Sequence, residues 1–175
     1  MKFQELNLSG LYLIESDCFE DERGFFARTF CKEEFAKYGV NMHFEQCSFS
    51  FNKKKGTLRG MHFQTIPFEE AKLIRCTHGA IYDVLIDLRP ESKTFKKWQA
   101  IELSEHSLKF LYVPPGFAHG FQTLEDATQV FYQISSKYSP QHSSGVRWND
   151  PAFSINWPLA VSTISKKDQE YPNFL

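Results

Sequence analysis

GTLRGMHFQTIPFEEAK, residues 56–72, sets an arginine, a histidine, a glutamine and a lysine among mostly small and apolar residues. His62 lies between Met61 and Phe63, and an apolar setting disfavours the charged imidazolium, which suits a general base at neutral pH. Lys72 begins a second apolar run, so we expect a strand to carry its ammonium. A base beside a fixed cation can remove a proton next to a carbonyl group, because the cation holds the enolate oxygen. The stretch alone is equally compatible with a core histidine and a surface lysine.

The composition is that of an ordinary globular chain with many aromatic rings. Its 175 residues suffice for one domain with a real core and are few for two. Apolar residues make up 42% and charged residues 23%, and the 18 phenylalanines favour β structure. A net charge of −1, with both signs interspersed, argues against a nucleic-acid partner. No apolar run approaches the ~18 residues of a membrane span, and the N-terminus does not resemble a secretory signal.

The four cysteines stand at positions 18, 31, 47 and 76. None belongs to a C-x-x-C pair, and their spacings match no zinc pattern. Without an export signal, the expected state is free thiols in a reducing cytosol, so we predict a cytoplasmic protein.

Short apolar runs recur about every 8–12 residues from residue 44 onward, the spacing of all-β domains. They predict strands at residues 57–64, 72–78, 81–88, 97–103, 109–113, 119–124 and 128–135, preceded by strands at 11–14 and just after Gly24. In 81–88 the apolar residues alternate with Asp83 and Asp87, which indicates a strand with one buried face.

The connecting segments complete the predicted architecture. Gly79 and Ala80 predict a hairpin turn, residues 15–24 a polar loop, and residues 31–38 a short helix that ends at Gly39. The tail from residue 138 is loop-rich and includes a polar segment at 165–170. We therefore predict a single all-β domain over residues 1–175, a sandwich or jelly-roll barrel with one or a few short helices. The mouth of such a barrel is a natural ligand site.

VPPGFAHGF, residues 113–121, resembles the second motif of the cupin superfamily, in which the histidine, here His119, often binds a metal. The first cupin motif also requires an H-x-H, but the positions flanking His62 at this spacing are Gly60 and Gln64. A catalytic metal needs about three convergent protein ligands. With two candidate histidines and no third, we expect a metal-free barrel.

Further blocks make the resemblance more specific. LRGMHFQ (58–64), AKLIRCTHGAIYDVLIDLRPESKTFKKW (71–98), VPPGFAHGF (113–121) and GVRWNDPAFSINWP (145–158) occur in this order, with DERGFF (21–26) upstream. Over nearly its whole length the chain resembles the dTDP-4-dehydrorhamnose 3,5-epimerase family, the RmlC type. The resemblance implies a cupin-type jelly-roll that needs no cofactor, binds a nucleotide-diphosphate 4-keto-6-deoxysugar and inverts C3, C5 or both.

The resemblance also implies the site residues. His62 would be the proton-abstracting base, Asp168 its dyad partner, Tyr132 the proton donor on the opposite side of the sugar ring, and Lys72 the cation near the sugar carbonyl. The implied phosphate, sugar and base contacts are Arg23, Phe26, Gln46, Arg59, His119, Tyr138 and Lys167. Because Arg59 and His62 are three positions apart, a regular strand would point them to opposite faces, so both can line one site only with a bulge near Gly60.

The chain departs from the family pattern at positions expected to contact the nucleotide, which are Arg28, Ser48 and Ser143. The carrier therefore stays open, and a CDP-, GDP- or UDP-linked sugar could replace the dTDP-linked one. The reaction stays open as well, between inversion of both centres, epimerisation at C3 alone and 3,4-ketoisomerisation. A non-catalytic sugar-nucleotide-binding barrel and a metal-dependent cupin oxygenase are the competing classes of protein.

The resemblance further implies a homodimer. In the family the N-terminal segment crosses to the partner, which would place Arg23 and Phe26 over the partner's site. The implied pathway is deoxysugar supply for a surface polysaccharide or a glycosylated product. No membrane and no nucleic acid are expected as partners.

Overall fold

A computed structural model describes residues 1–174 of the chain. It contains fourteen strands and two short helices. They are β1 (Lys2–Glu5), β2 (Tyr12–Glu15), β3 (Cys18–Asp21), β4 (Gly24–Ala27), α1 (Lys32–Ala36), β5 (Gln46–Asn52), β6 (Thr57–Gln64), β7 (Lys72–His78), β8 (Ala80–Asp87), β9 (Trp98–Ser104), β10 (Lys109–Val113), β11 (Phe117–Thr123), β12 (Thr128–Ile134), β13 (Ser143–Gly145), β14 (Thr163–Ile164) and α2 (Lys166–Glu170). The all-β class with short helices is confirmed.

Two sheets form the barrel. The first has the order β1-β2-β10-β7-β12-β5, and the second has the order β13-β6-β11-β8-β9 with β14 parallel to β6. The main core lies between them and combines apolar residues of both sheets, among them Ile74, Leu111 and Val130 from the first and Leu85 and Phe121 from the second. Neither helix is long and apolar enough to cross a membrane.

The predicted hairpin at Gly79 is wrong. Strand β7 pairs with β10 and β12, whereas β8 pairs with β9 and β11 in the other sheet. The turn therefore carries the chain from one sheet to the other, as sequential strands do in jelly-roll barrels. Gly79 has a φ of +72°, and a Cβ there would lie 2.6 Å from Oγ1 of Thr128. The local signal identified the turn but not the sheet to which the next strand belongs.

Strand β8 has two buried faces, not the single one that its alternation predicted. Tyr82, Val84 and Ile86 pack on the outer side of the second sheet, beneath Phe153 and Ile155 of the C-terminal segment. Asp83 and Asp87 share the opposite face with core residues and are fully buried. Both carboxylates have polar partners, as buried charges require. Asp83 pairs with the buried His119, and Asp87 accepts hydrogen bonds from the half-buried Arg89, Ser92 and Thr94.

The predicted polar loop at residues 15–24 is also wrong over part of its length. Residues of β3 and β4 form an antiparallel two-stranded hairpin, which pairs with neither of the two large sheets. Phe19, Phe25 and Phe26 on this hairpin are all more than half exposed. The predicted helix that follows is present as α1, and its Phe35 fills a second small core.

The bulge predicted near Gly60 is confirmed. His62 pairs with His119 and Arg59 pairs with Phe121, so three steps along β6 match two steps along β11. Gly60 has a φ of +134° and forms a cis peptide bond with Met61. The irregularity lets Arg59 and His62 line the same cavity. It also brings Gly60 against Gly120, where a Cβ on Gly120 would lie 2.7 Å from the Arg59 carbonyl oxygen and 3.0 Å from the Gly60 Cα.

We expect Gly120→Ala to lower the free energy of unfolding by about 3 kcal/mol, because the added methyl meets backbone that cannot yield without separating β6 from β11. The matched control is Gly39→Ala, where φ is +75° but no atom lies within 4 Å of the added Cβ. That change should cost about 1 kcal/mol through backbone conformation alone. Urea unfolding of both variants measures the difference, and equal losses would contradict the close approach at Gly120.

Candidate active site

A cavity of about 560 Å³ opens between the two sheets. Its size lies within the range typical of small-molecule sites. Its walls come from β5, β7 and β12 of the first sheet, from β6 and β11 of the second, and from the C-terminal segment. Of the predicted site residues, those that line it are Gln46, Arg59, His62, Lys72, His119, Tyr132, Tyr138, Lys167 and Asp168.

His62 reaches the cavity because strand alternation directs it away from its neighbour Met61. Met61 is fully buried and packs in the cluster on the outer side of the second sheet. The His62 side chain is 40% exposed, so the apolar surroundings expected from the sequence lie on the other face of the strand. The protein environment of the imidazole is therefore set by what contacts it within the cavity.

The ring meets Tyr171 edge to face, and its hydrogen-bond partner is Asp168. His62 Nε2 lies 2.8 Å from Asp168 Oδ1, and the Gly60 N–H donates to Asp168 Oδ2 at 3.2 Å. Asp168 is 4% exposed. The carboxylate thus fixes one ring nitrogen of His62, which determines the ring's orientation and tautomer.

The C-terminal segment delivers Asp168 through two local features. Strand β14 runs parallel to β6 and pairs Ile164 with Leu58. Ser165 then caps α2 by accepting a hydrogen bond from the Asp168 N–H at 3.0 Å. A serine three residues before an acidic residue is a helix-start signal, so α2 could have been predicted from sequence where only a polar segment was expected.

The pKa of Asp168 reflects opposing effects. Burial raises it, but the hydrogen bond and positive charge of His62, with hydrogen bonds from Gly60 and Ser165, lower it further, so the net pKa lies below the usual 3.8. Asp168 is consequently ionised at neutral pH and can stabilise an imidazolium formed at His62.

Lys72 projects from β7 at the opposite wall and is buried. Its Nζ lies 2.9 Å from Oε1 of Glu70, and both side chains are about one-tenth exposed. Sequence reasoning missed Glu70, because nothing in a run of two glutamates distinguishes an exposed residue from one paired with a buried lysine. The ion pair keeps a cation at the cavity wall.

His119 forms a second histidine–carboxylate pair. Its Nε2 lies 2.5 Å from Oδ1 of Asp83, and both residues are buried. The His119 and Tyr132 rings meet edge to face with centroids 6.1 Å apart. Burial first, and the negative charge of Asp83 next, raise the pKa of Tyr132 well above its usual value of 10.0, while Arg59 acts in the opposite direction. The Tyr132 phenol is therefore protonated at neutral pH and can donate a proton.

The predicted binding residues are held by the barrel's own polar groups. Arg59 Nε donates to Oδ1 of Asn52 at 2.7 Å, and its Nη2 donates to the Phe51 carbonyl oxygen at 3.4 Å. Gln46 Oε1 accepts from the Tyr138 N–H at 2.8 Å and so fixes the loop that carries that half-exposed ring. Lys167 Nζ donates to Oγ of Ser143 at 3.4 Å.

Arg23 and Phe26 do not line the cavity of their own chain. They lie on the exposed β3–β4 hairpin, where Arg23 forms an ion pair with Asp21. Of the three departures from the family pattern, only Ser143 lines the cavity. Arg28 is exposed, and its Nη1 lies 3.6 Å from Glu34 Oε1. Ser48 is exposed on β5.

The arrangement has the parts needed to exchange protons beside a ketone. It combines a histidine base oriented by a carboxylate, a buried cation for an enolate oxygen, and a protonated phenol. Among residues 1–174, no group of three or more His, Cys, Asp or Glu is placed to hold a metal ion.

Comparison with known proteins gives consistent results. The family model described as dTDP-4-dehydrorhamnose 3,5-epimerase matches residues 5–175. A dTDP-4-dehydrorhamnose 3,5-epimerase from Sinorhizobium fredii is 41% identical over 174 residues, which are 99% of this chain and 89% of that protein. The Bacillus anthracis dTDP-4-dehydrorhamnose 3,5-epimerase, solved with TDP and PPi bound, superposes with a TM-score of 0.95 at 43% identity and 99% coverage of both chains.

The Legionella pneumophila epimerase RmlC, solved in complex with dTDP-4-keto-L-rhamnose, superposes with a TM-score of 0.89 at 32% identity. The match covers 95% of this chain and 89% of that one. These likenesses confirm the family resemblance drawn from the sequence motifs and the cupin-type barrel expected with it.

We expect Asp168→Asn to lower the free energy of unfolding at neutral pH. Because the folded-state pKa lies below the usual 3.8, the ionised carboxylate stabilises the fold above that value, and this stabilisation is lost as pH falls through the folded pKa. Urea unfolding from pH 7 downward should show a gap in the free energy of unfolding between wild type and variant, and this gap should close as the pH falls below about 4. Glu91→Gln, at an exposed position, is the control and should produce no such gap. A gap independent of pH would contradict the assignment.

Proposed function

The chain belongs to the dTDP-4-dehydrorhamnose 3,5-epimerase family, and we propose that it inverts C3 and C5 of dTDP-4-dehydro-6-deoxyglucose to give dTDP-4-dehydrorhamnose. The observation that carries this proposal is the placement of His62, paired with Asp168 at 2.8 Å, in one cavity with Lys72 and Tyr132. Relatives solved with TDP and with dTDP-4-keto-L-rhamnose support the choice of thymidine as the carrier.

The first step is removal of a proton next to the C4 ketone, which acidifies the hydrogens on C3 and C5. His62 is the base, and Asp168 orients its ring and stabilises the imidazolium. The electron pair of the broken C–H bond moves to the ketone oxygen, where the Lys72 ammonium stabilises the enolate. The substrate's own carbonyl is the electron sink.

The second step returns a proton to the opposite face of the sugar ring. Tyr132 is the donor, because burial keeps its phenol protonated. Tyr132 lies on β12 of the first sheet and His62 on β6 of the second. A base and an acid carried by facing sheets can act on opposite faces of a ring bound between them, and this inverts the centre.

The remaining cavity residues bind the rest of the substrate. Arg59 and Lys167 supply positive charge for the diphosphate, because a guanidinium and an ammonium both suit phosphate oxygens. Tyr138 stacks on the nucleobase, while Gln46 holds its loop in place. His119, backed by Asp83, contacts the sugar.

The functional unit proposed is a homodimer in which each β3–β4 hairpin covers the partner's cavity with Arg23 and Phe26. Two observations support it. The hairpin exposes three phenylalanines while pairing with no large sheet, and monomers rarely leave such apolar surface uncovered. In addition, β5 is an edge strand whose Phe49 and Phe51 are exposed.

The cell compartment proposed is the cytoplasm, where thiols stay reduced. All four cysteines are unpaired in the structure, and Cys18 and Cys47 are exposed. The activity would serve deoxysugar synthesis for a surface polysaccharide or a glycosylated product.

Proton NMR in heavy water tests the reaction. With dTDP-4-dehydro-6-deoxyglucose we expect deuterium at both C3 and C5, and slower exchange with the CDP- and GDP-linked sugars. His62→Asn should reduce exchange by about 10²–10⁴-fold while dTDP binding persists, because the base acts on the sugar alone.

Deuterium at C3 only would make the protein a single-centre epimerase. Movement of the carbonyl to C3 would make it a ketoisomerase. No exchange with any carrier, despite tight dTDP binding, would contradict the proposal and leave a sugar-nucleotide-binding barrel.

Subunit complementation tests the shared site. We expect Arg23→Ala and His62→Asn homodimers each to be impaired, and their mixture to regain activity after subunit exchange. A mixed dimer would hold one complete site, built from the cavity of the Arg23→Ala chain and the hairpin of its partner. An equimolar mixture should therefore recover about a quarter of wild-type activity. No recovery, with subunit exchange confirmed by mass spectrometry, would place Arg23 in the site of its own chain or outside it.

A further inference from the structure

Glu70 is a charged residue of the cavity wall to which the proposed chemistry gives no role. It lies in the segment between β6 and β7 and lines the cavity. Oε1 is 2.9 Å from the Lys72 Nζ, and both side chains are about one-tenth exposed. Among the ion pairs of residues 1–174, Glu70 is the only acidic partner of Lys72.

The other oxygen of Glu70 is also occupied. Gln64 Nε2 donates to Glu70 Oε2 at 3.0 Å and lies near the Phe68 and Lys137 carbonyl oxygens, at 2.9 and 3.2 Å. Gln64 Oε1 accepts from the Ser139 N–H at 2.7 Å. The Gln64 amide therefore joins the segment that carries Glu70 to the loop that carries Tyr138. Glu70 is held from one side by this network and faces Lys72 on the other.

A carboxylate here has an electrostatic cost, because the proposed substrate brings a negatively charged diphosphate into the same cavity. A buried anion that opposes the ligand's charge is expected only where it serves another group. Within residues 1–174, the only charged group that pairs with Glu70 is the Lys72 ammonium. The long Lys72 side chain has many rotamers, and this contact selects among them.

We propose that Glu70 is a positioning residue that holds the Lys72 ammonium at the cavity wall, directed at the place where the enolate oxygen forms. The inference rests on the proposed function, since it assigns Lys72 to that oxygen. Glu70 does not touch the reacting atoms and acts through Lys72. Gln64 holds the second carboxylate oxygen of Glu70 in place through its hydrogen bond.

A neutral amide cannot replace this carboxylate. Glu70 accepts from two donors, Lys72 Nζ and Gln64 Nε2, one on each oxygen. A glutamine has one acceptor oxygen, so one of the two donors would face an N–H group. Glu70→Gln therefore preserves the side-chain shape while removing the charge and one of the two contacts.

The experiment compares Glu70→Gln with Glu69→Gln, the same chemical change one residue away at an exposed position. We expect Glu70→Gln to lower kcat for deuterium exchange at least about tenfold, with the Kd for dTDP unchanged, because dTDP lacks the sugar carbonyl. Glu69→Gln should match wild type in both. Near-UV circular dichroism verifies the fold, and Glu70→Asp, which keeps the charge, should exchange faster than Glu70→Gln.

A double-mutant cycle shows whether Glu70 acts through Lys72. In a Lys72→Met background, Glu70→Gln should cause no further loss of exchange, and the double variant leaves no unpaired buried charge. Equal exchange rates for Glu70→Gln and wild type, or additive losses in the cycle, would overturn the inference. Exchange absent from the wild-type protein would instead refute the proposed function, so the two failures are distinguishable.

Discussion

The hydrogen bond between His62 and Asp168 is the contact on which the rest of the site depends. It joins residues 106 positions apart and connects α2 to β6, an inner strand of the second sheet. Several features make it possible. The bulge at Gly60 lets His62 and Arg59 line the same cavity, and the Gly60 N–H donates to Asp168. Strand β14 aligns the C-terminal segment along β6, and Ser165 caps α2 so that Asp168 lies within its first turn. Together these features fix the orientation of the His62 imidazole.

Five basic residues line the cavity, and three of them pair with a carboxylate. Asp168 pairs with His62, Asp83 with His119, and Glu70 with Lys72. Pairing allows Lys72 and His119 to lie buried in the cavity wall, because a buried polar or charged group needs a partner. It also leaves Arg59 and Lys167, which have no acidic partner among the described ion pairs, as the groups available to an anionic ligand. The cavity thus separates groups suited to proton transfer from groups suited to phosphate binding.

Local sequence patterns predicted most of the strands, but they did not predict what packs on each face of a strand or which sheet a strand joins. The alternation in β8 correctly indicated a strand, yet both faces are buried. The C-terminal segment covers the outer face, and Asp83 and Asp87 on the other face have polar partners. The turn at Gly79 was visible, but the change of sheet was not. Strand β3, within the polar residues 15–24, was not predicted, because it is stabilised by its pairing with β4 and not by burial of an apolar face.

The sequence by itself predicted most of the strands and the bulge, because period-two alternation and strand geometry are readable along the chain. The ordered family motifs supplied the candidate acid–base residues. Only the tertiary structure decided what each residue meets. It placed Met61 outside the cavity and His62 within it, set Glu70 against Lys72, and kept Arg23 and Phe26 away from their own chain's cavity. The physical reason is that alternation along a strand shows which of its side chains share a face. The residues that pack against that face belong to elements distant in sequence, so alternation does not identify them.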